Sequence, residues 1–232
     1  EEGGEKDFPV LNTLRRKHMS VDVVDRASGS AYVESGRTKV VCTVHGPKTD
    51  TWSSLFSEHG RISCFVTISA FSGSDGERRE ERREEEERAA ELGILPALQS
   101  AINLLKYPKS VIEVHVSVVE ADGDLLSPCI VCASLALAHA GVEMYDLVAS
   151  SSLALRRKEG FMLEPGAGLT EHDGSLSLSY MPNRREVTQL VQVGQWEQEE
   201  VARAMKVGLR ACRSTHALMR LALLQHQEKE EE

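Results

Sequence analysis

Apolar and polar residues alternate along several short stretches of the chain, and this period of two is typical of half-buried β-strands. In 111–119 the alternation leaves His115 on the polar face. The clearest stretch is 61–70, with Ile62, Cys64, Val66, Ile68 and Ala70 on one face and Arg61, Ser63, Thr67 and Ser69 on the other. Alternation and turn residues together predict strands over 21–23, 31–34, 39–44, 61–70, 111–119, 147–155, 176–180 and 186–193. The pair Gly46-Pro47 is predicted to end the third of these strands.

Three other stretches have the spacing of helices. Residues 77–106 join a charged first half, ERREERREEEER, to an amphipathic second half over 92–105. Residues 129–140 contain no charged residue, which indicates a helix that is buried on most faces. Ser127 is its predicted N-cap, Pro128 its first residue and Gly141 its stop. Residues 196–225 carry a stripe at three- and four-residue steps: Val201, Met205, Gly208, Cys212, Met219 and Ala222.

The order of these elements is four strands, a helix, a strand, a helix, three strands and a helix. Frequent hairpins among interleaved helices favour a mixed α/β layer fold over a doubly wound parallel sheet. We expect an N-terminal extension over 1–19, one domain over 20–226 and an acidic disordered tail over 227–232.

Composition narrows the class of protein. The 232 residues carry a net charge of −9, of which the first seven and the last five residues contribute −3 each. This acidity argues against a free-standing nucleic-acid binder, although a local basic face is compatible with it. The chain has no apolar run of 18 residues and no signal-peptide pattern at its start, so we expect no membrane association. Five scattered cysteines fit a reducing compartment, and Cys129 and Cys132 are interpreted as core residues.

The charged helix has two interpretations. At 100° per residue, one arc of about 140° holds Arg78, Arg79, Arg82 and Arg83, and the opposite arc holds Glu80, Glu81, Glu84 and Glu85. One interpretation is a solvated arm with i,i+4 pairs such as Arg82–Glu86 and Glu84–Arg88. The other is an arginine face directed at RNA phosphates, to which Arg61 is a weak addition.

Three segments resemble the RNase PH family, including its exosome-type members. They are 26–40, RASGSAYVESGRTKV; 104–122, with Tyr107-Pro108 before a strand that ends in Glu-Ala-Asp-Gly; and 136–148, ALAHAGVEMYDLV. The resemblance covers 20–225. It implies a mixed α/β RNase PH-like fold with a duplicated strand–helix core. It also implies a place in the six-membered exosome ring, with other RNase PH-like subunits, cap proteins, a hydrolytic exoribonuclease and RNA as partners. The implied location is the nucleus, nucleolus and cytoplasm.

The same resemblance addresses catalysis. Active members are phosphorolytic 3′→5′ exoribonucleases that hold phosphate at a Thr-Arg pair and use an acid on a later strand. Here Leu125 and Leu126 occupy the pair, and Ser175 occupies the position of the acid. We therefore expect a subunit without catalytic residues, cofactor or metal. Two alternatives remain: an active phosphorolytic enzyme that uses nearby Asp173, and an unrelated α/β metabolic or scaffold protein.

Overall fold

The computed structural model describes residues 9–49, 58–69, 78–169 and 171–231, with the backbone alone described at 78–82 and 230–231. Its strands are β1 Lys17–Val21, β2 Gly29–Ser35, β3 Thr38–Thr49, β4 Arg61–Ile68, β5 Ser110–Glu120, β6 Ala149–Arg156, β7 Gly160–Leu163, β8 Gly174–Met181 and β9 Glu186–Gly194. Its α-helices are α1 Arg78–Gln99, α2 Leu126–His139 and α3 Gln198–Glu231, and a 3-10 turn covers Leu104–Lys106.

The strands form two sheets. The first has the order β1-β2-β3-β5-β4, antiparallel except for the parallel pair β4–β5. The second has the order β7-β6-β8-β9 and is antiparallel throughout. Because hairpins and a parallel crossover occur together, the prediction of a mixed α/β fold is confirmed.

Helix α2 lies in the middle of the core, against β2 and β3 of the first sheet and β6 of the second. Ten of its residues, from Ser127 to Leu137, are buried, as its uncharged sequence predicts. Gly141 ends the turn with a φ of 69°, and the Val142 N–H donates to the Leu137 carbonyl at 3.2 Å. Helix α3 covers the other face of the second sheet, where a Cβ on Gly208 would lie 3.1 Å from Leu178 Cδ2.

Several predicted boundaries are wrong. The first strand ends at Val21 because Asp22 has a φ of 58°, and it starts at Lys17, inside the predicted N-terminal extension. Strand β3 continues past Gly46-Pro47, since a register shift lets Lys48 and Thr49 pair again with β5. Helix α1 ends at Gln99, not at Lys106.

The C-terminal helix also differs from its predicted extent. Helix α3 continues to Glu231, so residues 227–231 are helical where the sequence predicts a disordered tail. The helix already spans several turns by that point, and adding one residue to an existing helix is much easier than nucleating a new one. Among the residues that the structure describes, no helix combines the length and apolarity needed to cross a membrane.

Candidate functional site

The start of α2 is occupied by a carboxylate from this chain. The side chain of Ser127 does not cap the helix. Instead, the backbone N–H of Ser127 donates to Asp124 Oδ2 at 3.3 Å. Asp124 directly precedes Leu125, which occupies the N-cap position. Asp124 is partly buried, and burial raises the pKa of its carboxyl group, an effect that hydrogen bonding to Ser127 partly offsets. An acidic group at a helix N-terminus interacts favourably with the helix dipole. The place where a bound anion would sit is therefore held by an anion of the protein itself.

The two leucines beside Asp124 pack into the protein. Leu125 and Leu126 both lie against the hydrophobic core. Leu126 reaches Gly93 of α1, where a Cβ would come within 2.7 Å of its Cδ1 atom. A leucine side chain offers no hydrogen-bond donor and no positive charge, so these positions cannot bind phosphate as a Thr-Arg pair would.

The cavity next to the α2 start is small and ringed by charges that are already paired. Its volume is about 10 Å³, which is roughly the least that holds one water molecule. On its wall, Lys17 Nζ contacts Glu164 Oε1 at 2.6 Å and Thr215 Oγ1 at 2.7 Å. Arg15 on the same wall contacts Asp122 Oδ2 at 3.3 Å. These cations are engaged by carboxylates of the chain.

The acid implied by the resemblance is absent from its strand. Ser175 lies on β8, opposite Ala154, and the next acidic residue, Asp173, lies just before the strand. Asp173 Oδ2 accepts a hydrogen bond from the Arg157 backbone N–H at 2.8 Å. Ser152, whose side chain lies by Asp124, pairs with Ser177, four residues or about 13 Å along the strand from Asp173. Asp173 therefore stabilises the turn between β6 and β7.

The charged part of α1 shows two ion pairs at i,i+4 spacing among its described side chains, one of them in solvent. Arg88 contacts Glu84 at 3.7 Å, the pair that the i,i+4 spacing predicts. Arg83 contacts Glu87 at 3.8 Å. The side chains of Arg78, Arg79 and Arg82, and with them the Arg82–Glu86 pair, lie outside the described part. Arg61 is exposed at the first position of β4.

Two glutamates of α1 have a role that their sequence pattern alone does not predict. Among the described strands β4 is at the edge of its sheet, and its outward N–H groups face none of the other strands. The Ile68 N–H donates to Glu87 Oε1 at 2.7 Å, and the Val66 N–H donates to Glu91 Oε1 at 2.9 Å. The only sequence signal for this role is the spacing of four between the two glutamates, which places them on one face of the helix.

One cluster has the composition of a metal site. Asp22, His139 and His226 bring ligand atoms within 4.8 Å of one another, and the two Nε2 atoms are 3.1 Å apart. However, the Ser30 N–H donates to His139 Nδ1, which places the proton of neutral His139 on Nε2. A metal would need that Nε2 lone pair, so the arrangement fits a hydrogen bond from His139 to His226 better than a metal centre.

The cysteines behave as core residues. Cys129 and Cys132 are buried and free, and burial raises the pKa of both thiols. Neutral, inaccessible thiols are poor nucleophiles and poor metal ligands.

Similarity to known proteins assigns the family. The RNase PH family model, described as 3′ exoribonuclease family, domain 1, matches residues 13–143. The chain therefore belongs to the RNase PH family, as the three resembling segments predict.

Several relatives of the chain are exosome complex components. An exosome complex component of Arabidopsis thaliana, RRP41-like, is 35% identical over 89% of this chain and 79% of its own length. Human exosome complex component MTR3 is 31% identical over 91% of this chain and 83% of its own length. The crystal structure of rice Rrp46 superposes with a TM-score of 0.78 at 23% identity, covering 90% of this chain and 94% of the rice chain, which supports the fold.

Proposed function

We propose that the chain is a catalytically silent RNase PH-like subunit of the eukaryotic RNA exosome ring. In this role it joins other RNase PH-like subunits under the cap proteins and helps guide RNA to an associated hydrolytic exoribonuclease. Through the ring, the subunit takes part in RNA processing and degradation in the nucleus, nucleolus and cytoplasm. Support comes from the family match and from relatives that are exosome components, MTR3 among them. The segment 141–146, GVEMYD, also resembles the subunit called mRNA transport regulator three.

The observation that carries catalytic silence is the occupied start of α2. Phosphorolysis requires inorganic phosphate to be held for in-line attack on the last phosphodiester bond. Here Asp124 accepts a hydrogen bond from the Ser127 N–H, a donor that a bound phosphate would need, and Leu126 is packed against Gly93. Bringing phosphate beside the partly buried Asp124 carboxylate would add electrostatic repulsion to the cost of desolvation. The missing acid at Ser175 removes a second part of the same chemistry.

An activity measurement tests this proposal. The chain, alone and assembled with its ring partners, is incubated with single-stranded RNA, phosphate and magnesium, and nucleoside diphosphates are quantified. We expect no phosphate-dependent release above a phosphate-free control. Release that disappears in Asp173→Ala would instead identify an active phosphorolytic enzyme. A chain that does not co-purify with RNase PH-like partners would contradict the role in the ring.

We further propose that RNA contacts Arg78, Arg79, Arg82 and Arg83, with Arg61, at the far end of β4, as a weak addition. Arginine is suited to phosphate because its planar guanidinium group presents several donors at once. Reversal of the four helix arginines to glutamate should weaken RNA binding by the ring. It should also reduce the salt dependence by roughly 0.7 logarithmic units per lost phosphate contact.

A charge-matched control lies on α3. Reversal of Arg203, Arg210, Arg213 and Arg220 changes the net charge by the same amount on a different surface. We expect this control to alter RNA binding much less. Equal effects of the two sets would indicate a general electrostatic response and would contradict a specific arginine face.

A further inference from the structure

The solvent-facing side of the first sheet carries an aromatic residue, Phe65, at a position where the alternating pattern predicts a polar residue. Phe65 lies on the same face of β4 as Ser63 and Thr67, opposite to the buried Val66 and Ile68. It remains 46% exposed. A large aromatic ring held in solvent among hydroxyl groups gains little from folding, which suggests a role in recognition.

The ring of Phe65 stacks on a histidine of the neighbouring strand, which in turn contacts a second histidine. Phe65 pairs with His115 across the parallel β4–β5 ladder, and the two rings stack with centroids 5.0 Å apart at 20°. His45 of β3 meets His115 edge-on at 5.5 Å and 71°. Burial, with a contribution from His45, lowers the pKa of His115, which favours an uncharged ring at neutral pH. The three rings form a surface across β4, β5 and β3, here called the aromatic platform.

The charges around the aromatic platform are compatible with a polyanion. Glu113, next to His115 along β5, contacts Lys48 at 2.9 Å, and this lysine lowers the pKa of the glutamate. Glu120, at the end of the same strand, contacts Lys39 at 2.9 Å. Each of these carboxylates is thus balanced by a cation. Arg61, on the same face of β4 and four residues before Phe65, adds an exposed positive charge.

We infer that the aromatic platform of Phe65, His115 and His45 stacks a base of single-stranded RNA. Every base has a π-face, so such a platform binds RNA without reading its sequence. Along the sequence, β4 is the element that precedes the arginine-rich start of α1, where the phosphate contacts are proposed. The inference rests on the proposed function, because that role brings RNA to this chain.

Photochemical crosslinking in the assembled ring tests the inference. After co-purification has shown that the chain is in the ring, a single-stranded RNA of about 15 nucleotides that contains 4-thiouridine is bound and irradiated. Mass spectrometry then locates RNA adducts on the chain. We expect adducts on peptides that contain Phe65 or His115. We also expect Phe65→Leu, which keeps apolar bulk but removes the stacking face, to reduce the yield about fivefold.

The matched control is Tyr145→Leu. Tyr145 is similarly exposed, at 48%, but lies on another surface, where the Arg184 guanidinium covers its ring at 4.9 Å. We expect this variant to leave the adducts on Phe65 and His115 unchanged.

Two results would overturn the inference. One is an assembled ring in which wild-type and Phe65→Leu chains give equal adducts or none. The other is loss of a protein subunit from the ring in Phe65→Leu, which would identify the platform as a protein interface. Neither result contradicts the proposed function, since incorporation of the wild-type chain is measured first.

Discussion

The two helix starts, those of α2 and α1, handle charge in opposite ways. At α2, Asp124 is partly buried and the neighbouring Lys17–Glu164 pair is only 6% exposed on both side chains. At α1, Glu84 and Arg88 pair in solvent, with their side chains 59% and 76% exposed. A buried charge without a partner is costly, and the cations near the start of α2, Lys17 and Arg15, are paired with carboxylates of the chain. The surface tolerates many arrangements, so its charges do not by themselves identify a partner.

The largest effect is expected from breaking the buried pair. Lys17→Met leaves the Glu164 carboxylate without its cation and should lower the free energy of unfolding by about 3–5 kcal/mol. The double variant Lys17→Met/Glu164→Leu should recover most of this loss, because it leaves no uncompensated charge. Urea unfolding followed by circular dichroism measures both. A loss below about 1 kcal/mol in the single variant would show that the pair is effectively solvated.

A smaller effect is expected where α1 covers the edge of β4. Glu91→Ala removes the acceptor for the Val66 N–H and should cost about 1–2 kcal/mol in the free energy of unfolding. Glu91→Gln retains an acceptor oxygen at that position and should cost clearly less. Chemical denaturation of the two variants provides the comparison. Equal stability of both would mean that water replaces the carboxylate at this edge.

The pH dependence of stability tests the burial of Asp124. Its folded pKa is raised above the unfolded value of 3.8, so the folded state binds a proton more tightly than the unfolded state. The associated stabilisation is present below the unfolded pKa and is lost as the pH rises through the folded pKa. Asp124→Asn has no proton to lose, so its stability relative to wild type should increase from about pH 4 upward.

The measurement is a series of urea titrations of both proteins across that pH range. A relative stability that stays flat, or that decreases with pH, would contradict a carboxyl group disfavoured by burial.

The smallest effect is expected for the exposed pair on α1. Arg88→Ala removes the contact with Glu84 and should change the free energy of unfolding by no more than about 0.5 kcal/mol. Thermal unfolding at low and high salt checks this, and high salt should reduce the difference further. A large salt-sensitive loss would place this pair in a network and weaken the contrast between the two helices.

Some features of the site follow from local sequence, and others do not. The helix α2 is predictable because an uncharged run with a glycine stop has few other solutions. The first residue of α2 is Leu126 and not the predicted Pro128. Ser127 and Asp124 are both good capping residues by type, and the backbone conformation of the turn places Asp124 where it accepts the hydrogen bond. The silence of the site is inferred from Leu125, Leu126 and Ser175 through the family resemblance. The packing of Leu126 on Gly93 is known only from the structure.

The sequence by itself determined the alternating strands, the buried helix and the family, because each depends on residues that are close along the chain. Tertiary structure decided which groups meet. It joined Lys17 to Glu164 across 147 positions, placed Glu87 and Glu91 on the edge of β4, and stacked Phe65 on His115. Periodicity states which face a side chain occupies, but the pairing of strands and helices decides what lies opposite that face.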